Sequence, residues 1–163
     1  MTSTGTAATA RSPILTFFRI DLPGARCQPR AWRFLVATLV AVVGSVAACA
    51  VLAQVGMLAY PSTRGYDHFR FADYTKLTVI GVVIASLGWP LAAALSSRAR
   101  RLYFWAAVAV TVVSFAPDGW ILIHGQSPAG VFILAVMHVA VAVVTYWSLV
   151  LIAPQHDREP ASR

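Results

Sequence analysis

Polar residues are so thinly spread along this chain that the places where they are missing set its first prediction. Four stretches, Phe34 to Leu58, Leu77 to Leu95, Leu102 to Ile123 and Val131 to Ala153, contain one formal charge between them, at Asp118. They are apolar all round rather than along one stripe, and a helix in water does not tolerate that. About 20 apolar residues at 1.5 Å rise cross a hydrocarbon core of about 30 Å, so each stretch predicts one transmembrane helix. A bilayer offers no water to satisfy peptide groups, and four apolar runs of this length joined by short loops are not the strands of a closed barrel. The predicted fold class is all-α, a four-transmembrane-helix bundle over residues 31–154. Residues 1–30 form a disordered or interfacial N-terminal tail, and residues 155–163 a C-terminal tail.

Composition adds exclusions. With 58% apolar and 12% charged residues among 163, the chain has no room for a large soluble catalytic domain. Cys27 and Cys49 are its two cysteines and are far apart in sequence, which removes disulfide scaffolds, zinc ribbons and C-x-x-C oxidoreductases. The Thr-, Ser- and Ala-rich start is followed by Pro13 to Pro23, which reads as a short amphipathic turn in the interface rather than a signal peptide, because Arg19 and Asp21 interrupt its apolar run.

Charge orients the spans. Arg11, Arg19, Arg26, Arg30 and Arg33 precede the first, Arg98, Arg100 and Arg101 lie between the second and third, and Arg158 and Arg163 follow the fourth. The opposite connections hold Arg64, Arg70 and Lys76. A ten-to-three bias places both termini in the cytoplasm of a multi-pass plasma-membrane protein. Trp32, Tyr103, Trp105, Tyr146 and Trp147 fall near the inner interface, and Tyr60, Tyr74 and Trp120 near the outer one. The net charge of +7 is therefore read as topology and lipid-headgroup contact, with the lipid bilayer as partner and no nucleic acid.

Candidate chemistry is confined to a few polar residues inside the spans. Thr111, Ser114 and Asp118 recur at helical spacing, and Pro117 frees the carbonyl of Val113. His138 on the fourth span lies at a depth that a short outer hairpin could bring near Asp118, where a carboxylate would fix the imidazole tautomer. Gln54 and Lys76 are candidates to complete an outer-facing polar pocket with Ser114, Asp118 and His138. Two plainer readings stand beside this one. Pro117-Asp118-Gly119 is also an ordinary turn sequence, and a lone intramembrane histidine often serves only as a helix-to-helix hydrogen-bond donor. His68, His124 and His156 lie outside the spans, so no metal, haem or other cofactor is expected. Small residues at Ala41, Gly44, Ser45 and Ala48, and at Gly81, Ala85, Gly88 and Ala92, predict two close-packing ridges, used within one chain rather than between subunits. Pro90 is expected to kink the second span.

Ser114-Phe-Ala-Pro117 closing the third span, followed by Leu134-Ala-Val-Met137-His138 in the fourth, resembles an uncharacterised actinobacterial family of four-helix membrane proteins with the patterns S-x-x-P and L-x-L-M-H. The likeness covers residues 34–153. It implies fold and location and carries no activity. Three functions remain in competition. The first is a non-enzymatic accessory or interaction subunit, with a second copy or another membrane protein as candidate partner. The second is a small-solute or proton-linked transporter working through the polar pocket. The third is a lipid- or quinone-directed membrane enzyme using His138, Asp118 and Ser114.

Overall fold

A computed structural model describes residues 13–21, 28–63 and 71–155. Arg11, Arg26, Cys27, Arg64, His68, Arg70, His156, Arg158 and Arg163 lie outside the described residues. A short helix α1 (Pro13–Phe18) precedes four long ones, α2 (Ala31–Ala59), α3 (Phe71–Leu95), α4 (Ala99–Ile123) and α5 (Pro128–Ile152). All four are long and apolar enough to cross a membrane. Each contains one predicted span and begins a few residues before it, except that α5 ends one residue short of Ala153.

The turns are built from local chemistry. Gly125 takes a left-handed conformation, φ 85°, after α4, and Pro128 opens α5 at the first helical position, where its missing N–H costs nothing. Arg19, at φ 44°, ends α1 and sets Ile20 in an antiparallel bridge with Ser96. From there the N-terminal segment is stitched to the α3–α4 turn. Asp21 N–H donates to the Leu95 carbonyl at 3.2 Å, Asp21 Oδ1 accepts from Ser97 N–H at 2.9 Å, and Ser96 Oγ donates to the Phe18 carbonyl. Gln28 donates to the carbonyl of Pro90 inside α3 at 3.0 Å. Gln155, just beyond α5, accepts from Ala99 N–H at 3.3 Å and donates to the Ser96 carbonyl at 2.9 Å, so the same turn is held from the C-terminal side too.

Helix α2 packs mainly on α5 and also on α3, while α4 packs on α5 and, less closely, on α3. The buried face of α2 is Ala37, Ala41, Ser45, Cys49, Ala53 and Gly56. With side chains this small the backbones approach closely, and a β-carbon on Gly44 would stand 3.0 Å from Val144 Cγ1 of α5. Two apolar clusters result. One, around Trp89, Tyr103 and Leu149, fills the arginine-rich end; the other, around Cys49, Tyr74, Ile133 and Met137, fills the end of the α4–α5 hairpin.

The ridge on α3 behaves differently from the one on α2. Gly81 would meet nothing within 4 Å if it carried a β-carbon, and Gly88 would meet the ring of Tyr103 at 3.4 Å. Tyr103 is the reason, because its ring stands between α3 and α4 and its hydroxyl donates to the Ala85 carbonyl at 3.1 Å. Ala85 and Gly88 are small to admit a ring, not a helix backbone.

Candidate functional site

Helix α4 is joined to the bundle near its two ends. At the arginine-rich end Tyr103 packs edge-on to Trp89, centroids 5.4 Å apart, and stacks on Tyr146 of α5 at 5.9 Å. Trp89 is itself fixed, since its indole N–H donates to the Ala153 carbonyl at 2.7 Å in a fully buried setting. Near the hairpin end Asp118 of α4 meets His138 of α5, with Oδ2 3.2 Å from Nδ1. Between the two contacts α4 is little covered. Only 6% of its most apolar stretch is buried, against 22–28% in the other three long helices.

Asp118 is inside the helix. α4 runs through Pro117 without interruption, so the turn reading of Pro117-Asp118-Gly119 does not describe this chain. Asp118 is 6% exposed. The tautomer of His138 follows from its neighbours. Nδ1 lies 2.9 Å from the Leu134 carbonyl, which can only accept, and faces the Asp118 carboxylate at 3.2 Å, so Nδ1 carries the proton and donates to the carbonyl. In the neutral ring Nε2 is then an acceptor, and His138 lines a cavity.

That cavity is a groove of about 720 Å³ behind α4. Its walls are α3, including Gly81, Ala85 and Gly88, and α4, including Ala107, Thr111 and Ser114, and residues of α5 from Leu134 to Thr145 form its floor. Along α3 it extends from Asp73 to Leu95, a rise of about 33 Å, which matches the full hydrocarbon thickness. Lining residues Leu77 and Val110 are 73% and 64% exposed, so the groove is open at the side of the bundle between α3 and α4. Thr111 and Ser114 donate to the carbonyls of Ala107 and Thr111, at 2.8 and 2.7 Å. Thr145 is 3% exposed, lines the groove, and its hydroxyl has no hydrogen-bond partner.

The structure thus brings His138 and Asp118 into contact and puts Ser114 on the groove that His138 lines. It does not bring in Gln54 or Lys76, which are exposed and line neither the groove nor the pair. Among the described residues no three His, Cys, Asp or Glu side chains gather as a metal-binding group. Sequence reasoning missed the groove, the Tyr103 wedge and Thr145. The nearest signal was the run of small residues facing the cavity, which in sequence looks the same whether it meets a backbone, a ring or nothing.

The fold and site define a class, the small helical bundle with four apolar helices that fit a multi-pass membrane protein. Within it, the chain belongs to the family described as a family of unknown function (DUF6069), matched over residues 25–153. No curated protein and no solved structure matches it.

Proposed function

We propose that this is a non-catalytic multi-pass membrane protein, an accessory or interaction subunit whose working surface is the α3–α4 groove, and that the groove seats a hydrocarbon chain from the bilayer. The carrying observation is the sideways opening of an apolar cavity along the whole length of a span. Size selects the occupant. A helix 10–12 Å across and 30 Å long fills roughly 3,000 Å³, several times the groove, whereas about 720 Å³ lies within the usual range for a bound small molecule. The ten-to-three distribution of basic residues supports placing the arginine-rich end in the cytoplasm.

Gly81 provides the test, because it lines the groove and a β-carbon there would meet nothing within 4 Å, so Gly81→Phe places a ring on the groove wall with no contact at its base to displace. Protein purified in mild detergent from native membranes carries co-purifying lipid by native mass spectrometry, and Gly81→Phe carries less of it while keeping its unfolding midpoint. Equal lipid content in the two proteins contradicts the reading.

The Asp118–His138 contact favours a second reading, a proton-linked transporter using Nε2 of His138 within the groove. Proton release or uptake by protein in liposomes that depends on an added solute, and that Asp118→Asn abolishes, would move this reading to first place.

A further inference from the structure

A second cavity has the opposite chemistry. At the arginine-rich end, between the start of α4 and the end of α5, a cleft of about 520 Å³ is lined by Arg98, Arg100 and Arg101 together with Trp105, Tyr146 and Gln155. All three arginines are exposed, and among the described residues none has a carboxylate within ion-pair distance. The described part of this end carries Arg19, Arg30 and Arg33 as well, against the single carboxylate of Asp21, which already accepts from Ser97 N–H. Two of the guanidinium groups are steadied by rings rather than by acids, Arg100 at 5.7 Å over Trp147 and Arg101 at 5.1 Å over Phe17. Such contacts use the π-face of the ring and leave the N–H fork of arginine for a planar or tetrahedral oxyanion. The dipole of α4 adds positive potential at its first turn, beside the same residues.

We propose that this cleft binds the phosphate of an anionic phospholipid. Trp105 and Tyr146 select lipid over a soluble anion, since aromatic rings bordering an arginine cluster at the end of apolar helices suit the level where headgroup meets hydrocarbon. Basic clefts between helix ends are the kind of site that holds acidic headgroups, with each nearby arginine worth several-fold in affinity. The cleft lies on the α5 side of α4 and shares no lining residue with the groove, so the two proposals stand independently.

The test uses the full chain in neutral maltoside micelles, with phosphatidylglycerol and phosphatidylcholine titrated in and bound lipids counted by native mass spectrometry. Wild type favours phosphatidylglycerol by roughly tenfold, and Arg100→Gln and Arg101→Gln each reduce that preference several-fold. Arg30→Gln removes the same charge from the same end outside the cleft and changes the preference less than about twofold. The preference persists in Gly81→Phe, which separates this site from the groove. Equal binding of the two lipids, or an equal loss in Arg30→Gln, overturns the site; displacement of phosphatidylglycerol by millimolar inorganic phosphate overturns the lipid assignment in favour of a free anion.

Discussion

The two sides of this bundle are made from similar residues and do different things with them. On α2 the small residues Ala37, Ala41, Ser45, Cys49 and Ala53 are buried against neighbouring helices. On α3 the small residues Gly81, Ala85 and Gly88 line a groove. The difference comes from what the partner presents. Opposite Gly44 stands the branched side chain of Val144, close enough to be packed. Opposite Gly88 stands Tyr103, whose ring and hydroxyl hold α4 at a distance. A small-residue ridge therefore specifies room, and whether a backbone, a ring or a ligand takes that room depends on one bulky residue across the gap.

Matched substitutions can break this comparison. Ala41 is 0% exposed, so Ala41→Leu overpacks the α2 contact and costs about 1–3 kcal/mol or more, read as a lowered midpoint in detergent unfolding. An unchanged midpoint would mean that α2 is rotated from its described position. Next comes Trp89→Phe, which removes the N–H donor to the buried Ala153 carbonyl and should cost about 1–2 kcal/mol by the same measurement, loosening the arginine-rich end to which α4 is joined. Asp118→Asn leaves the Leu134 carbonyl as acceptor for His138 Nδ1–H, so a loss below about 1 kcal/mol is expected, with the Nδ1–H tautomer retained in ¹⁵N NMR spectra. A switch to the Nε2–H tautomer would show that the carboxylate, not the Leu134 carbonyl, fixes the ring. The smallest effect belongs to Gly81→Leu, where no neighbour is within 4 Å and helix propensity favours leucine by about 0.5–1 kcal/mol. Destabilisation there as large as at Ala41 would mean that α3 and α4 close on each other and that no groove exists.

Much of the fold was legible in the residues, because a bilayer reduces the question to where uncharged runs of sufficient length occur. The ends of the helices were less so. α3 begins at Phe71, well before the predicted Leu77, since Asp73 and Lys76 are polar residues that a helix accommodates at its end as readily as a loop does. The pairing of Asp118 with His138 was readable from depth alone, while the tautomer required the position of the Leu134 carbonyl. Gln54 and Lys76 show the limit of that reasoning. They have suitable chemistry near the same end, but depth along a helix says nothing of the direction in which a residue faces, and both are exposed. The groove was hidden for the same reason, because it depends on the angle at which Tyr103 enters between two helices rather than on any local pattern.

The most direct test of an open groove that holds a lipid chain is photocrosslinking in bilayers made with phospholipids carrying a diazirine in the acyl chain, followed by mapping of the modified residues. The account predicts adducts on Ala107 of the α4 wall and on Val141 and Ala142 of the α5 floor, and their disappearance in Gly81→Phe while outward residues such as Leu39 and Val43 stay labelled. Labelling confined to the outward residues in the unsubstituted protein, or groove adducts unchanged by Gly81→Phe, would contradict it.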